Sequence, residues 1–490
     1  MKTCLKNWAC ILTVCVLCPA PHLWSSGPNG TDDGWAIDNN GRPLLTLARA
    51  TQIAQAGTGW VRIGMRRIPG QSGWQEEDLQ RYDAPVNNAM AAGLQVFILI
   101  GEGAIPGGQT VWNENNYEHG GSGQNQFIDD YVNNAVIPIV QHFHDRVKIY
   151  EIWNEPNAWT RSPCPGYYEG GTWIYPSNYS WVLAQSWVAV HVGLGFDDVT
   201  LFFGGVFGHS IGGQYSYGRA GAQYIDDVYN VGINKVGSFS SVKDSYGSYP
   251  LDGVGQHLYV DQGGLTTTEQ ILQYLDWVRQ SYTKYEGADS SKKVFITEMG
   301  WTTASVSEDT QDQDLRIAFA AIEQRAHVQM TIWFRWHDVL NPRLLYGVLD
   351  AAGNQKQSYA GYQFYQSYEG RFSDHSVQSD IFDYYCTLGQ PVLGNPYDNG
   401  GTPWVHSWGD GIMQDFIGGS NQKLAIMSSA YGAFQVNDVH GLWSFYLTHE
   451  GISMHGYPRN DEYAFSDGRR QDFEQGFLTW DPVNGVVDHP

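Results

Sequence analysis

Eight short apolar runs constrain this chain more than any other feature in it. Most end on polar or glycine residues, and stretches of helical periodicity lie between them. The runs are GWAID (34–38), GWVRIGM (59–65), LQVFILIG (94–101), VKIYEIWN (147–154), VTLFFGGV (199–206), GVGQHLYV (253–260), KVFITEMG (293–300) and MTIWFRWH (330–337). Segments such as LARATQIAQAG and EDTQDQDLRIAFAAIEQRA lie between them, with apolar residues at helical spacing. Strands that alternate with helices pair in parallel through right-handed crossovers. Eight such units between about residues 33 and 371 predict an α/β fold, a (β/α)8 TIM barrel with enlarged loops. A doubly wound open sheet is the competing arrangement. It wants a glycine-rich phosphate turn after its first strand, whereas GEGAIPG (101–107) has the wrong spacing and follows the third.

The rhythm changes beyond about residue 372. Gly, Pro, Asn and aromatics rise, and an internal repeat emerges: Tyr384, Gly389, Gly394 and Pro396 recur as Tyr446, Gly451, Gly456 and Pro458. QDFIGG from Gln414 is echoed by QDFEQG from Gln471 at a slightly shorter offset, as two copies with a short deletion would give. The expected organisation is therefore a barrel over 29–371 and a small, turn-rich, β-containing repeat module over 372–490.

The first 28 residues read as a secretory signal. Lys2 and Lys6 precede the apolar run Trp8–Cys18, which is too short to span a membrane, and cleavage is expected between Ala20 and Gly30. A secreted chain is the expectation, with no membrane span. Four of the six cysteines fall in that signal, which leaves Cys164 and Cys386 as candidates for a disulfide in an oxidising compartment. The one CxxC spacing, Cys15 to Cys18, falls in the expected signal, and beyond it neither a CxxC nor an HExxH motif is present, so no metal site and no cofactor is expected. A net charge of −23 argues against nucleic acid and anionic lipid and for a neutral partner. Aromatics make up 14% of the chain, with 19 Trp and 30 Tyr, whose flat rings suit sugar faces as well as cores. The long segment after the fourth run is rich in them, with Trp159, Tyr167, Tyr168, Trp173, Tyr175 and Trp181 among them.

In a barrel the C-terminal ends of the strands point into the active site. Two of those ends carry a glutamate at the tip of an apolar run: Asn154-Glu155 on the fourth and Glu298 on the seventh. A carboxyl pair across a cleft suits glycoside cleavage, where one group protonates the leaving oxygen and the other attacks the anomeric carbon or activates water. The two must hold different protonation states at one pH, so their surroundings must differ. Arg62 can keep one of them ionised, and His257 and Tyr259 on the sixth strand can orient and tune it. Asn154 suits the sugar 2-OH. Trp333 or Trp336 on the eighth strand can floor the sugar by stacking, and Trp301 completes the candidate list.

The motifs EIWNEPN and FITEMGW resemble the two signatures of the clan A retaining glycoside hydrolases, and within that clan they look most like the cellulase-type and β-xylosidase-type families. The resemblance covers about 30–371. It implies that Glu155 is the acid/base and Glu298 the nucleophile, with Arg62, Asn154, His257, Tyr259 and a strand-eight Trp around them. Strand one offers no matching residue. The C-terminal copies (GISMHGYP…QDFEQGFLTWDP) resemble repeats of the LGFP type found on bacterial secreted and wall-associated proteins, which implies contact with the cell wall. The expected function is thus a retaining hydrolase of β-linked polysaccharide or oligosaccharide, endo-acting on β-glucan. The alternatives are exo-action as a β-xylosidase or β-glucosidase, transglycosylation, and a non-catalytic carbohydrate or wall-binding protein.

Overall fold

The computed structural model describes residues 29–32, 36–38, 41–67, 72–158, 172–208, 220–325, 327–340, 343–367, 379–388, 390–396, 405–449 and 451–490. The expected signal segment, Cys164, the Cys386 side chain, Trp159, Tyr167 and Tyr168 lie outside them.

Eight parallel strands close a barrel in chain order. They are β1 (Asn29–Asp32), β2 (Trp60–Gly64), β3 (Gln95–Ile100), β4 (Ile149–Ile152), β5 (Thr200–Phe207), β6 (Gly253–Leu258), β7 (Lys293–Met299) and β8 (Val328–Phe334). Helices fill the crossovers, and their starts are capped by side chains: Thr46 accepts from the Arg49 N–H, Ser307 from Thr310, and Thr267 and Gln270 form a reciprocal box.

One strand differs from expectation. The first is NGTD at 29–32, not GWAID at 34–38. Within the latter stretch, Ile37 makes only a bridge to Pro43. NGTD lacks the branched apolar residues that favour strands, so its local sequence does not announce one. Its position comes from both neighbours: Thr31 registers with Val61 of β2 and with Trp333 of β8, which closes the barrel.

The floor of the barrel interior is apolar. Phe97, Phe202, Phe295, Met330 and Ile332 cluster there, and the rings of Phe202 and Phe295 stack at 4.5 Å. Above this plug the register is repeatedly broken. Irregularities fall between Phe203 and Val206 on β5, between Gln256 and His257 on β6, and between Ile296 and Met299 on β7. An extra residue lets two consecutive side chains share a face and re-aims the rest of the strand, which suits strand ends that build a site.

The C-terminal part holds two antiparallel sheets. In the first, β10 (Val405–Trp408), β11 (Gly411–Gly419), β12 (Gln422–Ser429) and β13 (Gly432–Asn437) lie in order, with β9 (Asn395–Pro396) on β11. The second is β14 (Tyr463–Phe465), β15 (Gly468–Asp472), β16 (Phe477–Asp481) and β17 (Gly485–His489).

Gly389 lies outside the described residues, and the other repeated positions match between the two copies except at Tyr384. Pro396 pairs with Phe416, and Pro458 bridges Phe473. Tyr385 stacks on Phe416 and Tyr446 on Phe473, both at 5.3 Å. The Tyr385 hydroxyl donates to the Gly394 carbonyl at 2.8 Å, and that of Tyr446 to Gly456 at 2.9 Å. The partner of Tyr446 is therefore Tyr385, one residue on from the Tyr384 that the spacing suggested. Tyr384 instead donates to Asp461 of the other copy at 2.6 Å.

The first sheet faces two ways. Phe416, Leu424 and Ile426 join the main core that includes the barrel's outer layer, while Met413, Ala425 and Met427 join the core of the second copy.

Candidate active site

β4 supplies two of the expected site residues through a backbone device. Side chains alternate along a strand, so a continuation of β4 would send Glu151, Trp153 and Glu155 inward and Asn154 outward. The chain departs from that pattern at Trp153 and Glu155, which have φ of 77° and 42°. Left-handed backbone at non-glycine residues is strained and persists only where the surroundings hold it. Here the Trp153 N–H donates to the Ile100 carbonyl at 2.9 Å and its indole N–H to Thr172 at 2.8 Å. The Glu155 carbonyl accepts from the Thr172 hydroxyl at 2.7 Å and from the Ala158 N–H at 2.8 Å. The Trp153 ring leaves for the helix layer, against Trp112, Phe127 and Tyr131. Asn154 thereby reaches the interior, where its Oδ1 accepts from Arg62 at 3.0 Å.

β7 uses a bulge to similar effect. His257 registers with Glu298 whereas Gln256 registers with Ile296, so Thr297 is the extra residue. Both Thr297 and Glu298 then face inward.

Glu298 is buried and held at both oxygens. Arg62 Nη1 lies 2.5 Å from Oε1, and the Tyr259 hydroxyl donates to Oε2 at 2.7 Å. Burial alone would raise this carboxyl. His257, Arg62 and the hydrogen bonds from Tyr259 and Arg62 outweigh burial and hold it below its ordinary value.

Glu155 is more open, with 23% of its side chain exposed against 11% for Glu298. Its Oε1 lies 2.8 Å from His257 Nδ1, and that nitrogen is 3.6 Å from Glu298. Burial opposes charge on the fully buried imidazole, but Glu298 and Glu155 raise its pKa above the ordinary value. An oxygen of each glutamate and a nitrogen of His257 all lie within 4.8 Å of one another.

Such a trio has the spacing of a cation site. However, Glu298 already faces a guanidinium and a phenol, and a dication there would sit against the positive charge of Arg62. The donor set fits proton transfer and carboxylate chemistry better than metal binding.

Of the expected residues, Arg62, Asn154, Glu155, His257, Tyr259 and Glu298 come together. The three tryptophans do not join them as platforms. Trp301, Trp333 and Trp336 are each no more than 1% exposed, so none offers a ring face to a sugar. Trp336 packs on Tyr359 and Tyr362 of the helix Ser358–Ser367, and Trp333 lies beside Trp301. The strand-eight ring beside the carboxylates is Phe334, in contact with Tyr259 and with Tyr346 from the following loop. Period-2 counting from the inward Met330 and Ile332 selects Phe334 and sends Trp333 outward. Those aromatics after β4 that fall among the described residues are structural as well. Trp173 is buried against Tyr175 and Tyr224, and Trp181 packs on the core.

Three further carboxyls were not picked out from sequence. Asp32 ends β1 in register with Arg62 and lies 3.1 Å from its Nη1. Glu151, fully buried on β4, bonds the same guanidinium at 2.8 Å. Glu102 follows β3 at the level of Asn154, since Ile100 registers with Ile152. Its carboxyl is pushed up to about 7 by burial, with Glu155 adding to the shift and Arg62 opposing it.

No family model matches the chain, and no curated protein matches it. Solved structures share its fold. A GH5_18 protein from Streptomyces cattleya, in complex with Manβ1-4GlcNAc, superposes with a TM-score of 0.51 at 14% identity, over 73% of this chain and 84% of that one. A GH5-4 broad specificity endoglucanase from Clostridium longisporum gives 0.48 at 15% identity, over 70% and 96%. A family 39 glycoside hydrolase from the gut symbiont Bacteroides cellulosilyticus WH2 gives 0.48 at 13%, over 94% and 78%. At 14% identity the likeness to the Streptomyces cattleya protein concerns the fold alone.

Proposed function

We propose that the chain is a secreted retaining glycoside hydrolase that cleaves a neutral β-linked polysaccharide, in the first instance endo-cleavage of a β-glucan. One observation carries the reading: two glutamates from the tips of β4 and β7 bring one oxygen of each within 4.8 Å of the other, in unlike surroundings. Retention needs carboxyl groups about 5–5.5 Å apart, and inversion about 6.5–9.5 Å.

Glu298, ionised by Arg62 and Tyr259, attacks the anomeric carbon and forms a glycosyl-enzyme. Glu155, the more exposed of the pair, protonates the departing oxygen and then deprotonates the incoming water. His257 bonds Glu155 and holds it facing Glu298. Asn154 commits its Oδ1 to Arg62, which leaves its amide N–H groups for a sugar hydroxyl. Phe334 and Tyr346 supply ring surface beside Glu298. Five carboxyls (Asp32, Glu102, Glu151, Glu155 and Glu298) share this end of the barrel with Arg62 and His257, which favours neutral sugars over uronic acids. Among the described residues no helix is long and apolar enough to cross a membrane.

The test is kinetic. Glu298→Ala should lose about 10⁴-fold or more on an activated aryl β-glycoside. Glu155→Ala should lose about 10²–10⁴-fold on unactivated glycosides and much less on activated ones, which need no proton to depart. Wild-type activity in the Glu298 variant would sink the proposal. A product profile on β-glucans, xylans and mannans separates endo-cleavage from exo-cleavage and transglycosylation. Sugar binding with no cleavage across that panel would favour the binding-protein reading.

A further inference from the structure

Arg62 is fully enclosed and faces three carboxylates, of which the proposed reaction uses one. Its Nε and Nη2 bond Glu151 Oε2 at 2.9 and 2.8 Å, and its Nη1 serves both Asp32 at 3.1 Å and Glu298 at 2.5 Å. Glu151 is saturated on its other side too. Its Oε1 accepts from the Gly205 N–H at 2.9 Å and from the Thr297 hydroxyl at 2.8 Å. It therefore accepts three hydrogen bonds, from Arg62 Nε, Gly205 and Thr297, beside the ion-pair contact with Arg62 Nη2, so all of these partners are donors. Two of the donors come from the irregular stretches of β5 and β7, so Glu151 also ties those stretches to the guanidinium.

A single positive charge shared by three carboxylates holds each less tightly than it would hold one. This matters for a group that attacks first and leaves afterwards. A carboxylate paired with an undivided guanidinium is stabilised, attacks more slowly and departs more readily. We propose that Glu151 is a positioning residue that fixes the plane of Arg62 and, with Asp32, takes up part of its charge, so that Glu298 is ionised yet still nucleophilic. This rests on Glu298 being the nucleophile.

The groups facing Glu298 are Arg62 from β2, Asp32 from β1, Glu155 from β4, His257 and Tyr259 from and just after β6, and Tyr346 from the loop after β8. Glu151→Gln removes one negative charge and leaves these in place. The acid limb of kcat/KM should move down by about one pH unit, and kcat/KM should fall about tenfold. On an activated aryl glycoside, where breakdown of the glycosyl-enzyme limits turnover, kcat should hold or rise. Asp32→Asn, at the more exposed carboxylate, should move both in the same directions and serves if Glu151→Gln does not fold. Equal losses in kcat and kcat/KM with an unmoved acid limb, in whichever variants fold, would reduce Glu151 to a structural support and overturn the proposal. A ¹³C carboxyl titration of Glu298, assigned with Glu298→Gln, reads the same shift without turnover. A shifted titration in a protein that cleaves no glycoside would sink the glycosidase reading and leave the charge sharing standing. Cleavage with an unshifted titration would do the reverse.

Discussion

Tyr259 and Glu151 act on the same carboxylate with opposite signs. The Tyr259 hydroxyl donates to Glu298 Oε2 at 2.7 Å and lowers its pKa. Tyr259→Phe should therefore move the acid limb of kcat/KM up, and lose roughly 1.5–3 kcal/mol of transition-state stabilisation, the range for a hydrogen bond to a charged group. A kcat/KM profile against pH checks both. The residues that sequence made legible are those whose chemistry breaks a pattern: a carboxylate closing an apolar run stands out at Glu155 and Glu298. Asp32 stayed hidden because NGTD does not look like a strand. Glu151 stayed hidden because it sits inside an apolar run with no sign of what it faces. Phe334 lost out to its tryptophan neighbours because both faces of a barrel strand are apolar, so hydrophobicity does not reveal the phase.

At the level of the element, the site is made by strands that stop being regular. β5 carries Gly204-Gly205 at its irregularity, and Gly205 is there for lack of a side chain. A Cβ at Gly205 would lie 2.2 Å from His257 Cδ2 and 2.6 Å from the Thr297 hydroxyl. Gly205→Ala should displace the His257 ring from Glu155 and disturb the Gly205 bond to Glu151. Overpacking of this kind costs about 1–3 kcal/mol. The expected result is activity lost more than tenfold with a far smaller loss of thermal stability, measured on the same sample. The seven apolar strands, β2 to β8, were legible to within a few residues, because burial on both faces leaves a continuous apolar run. Bulges and left-handed residues were not, since they answer to neighbours rather than to local sequence.

For the whole molecule, shared cores and buried charges set the expectations. Ile381, Tyr385, Leu393, Phe416, Leu424 and Ile426 belong to the main core. Deleting 372–490 should therefore lower the melting temperature of the barrel and promote aggregation. A truncated chain that melts like the full one would show the module to be a mere appendage. The pH dependence of stability has a definite sign for each buried group. Burial pushes the Glu102 and Asp314 carboxyls up to about 7, so the folded chain holds those protons more tightly than the unfolded one, and stability falls as pH rises from their ordinary values towards 7. His257, raised, contributes stability that is full below its ordinary 6.5 and lost as pH rises through its folded value. Glu298, lowered, contributes above 4.5 and loses its share as pH falls through its folded value. His327 and His337, pushed down to about 4 by burial, act in the opposite sense and gain stability as pH rises from about 4 to 6.5, so they offset the two carboxyls; scanning calorimetry should show the melting temperature decline once pH rises through the folded value of His257. The enclosed Arg62 also sets an order in time. Its three carboxylates come from the first, fourth and seventh strands, and Glu298 lies 236 positions along the chain from it. During synthesis the guanidinium emerges long before its last counter-charge exists, and β1 gains its second neighbour only when β8 arrives. The pocket around Arg62 is thus among the last things the nascent chain completes, and on the proposed function the onset of turnover would report ring closure itself.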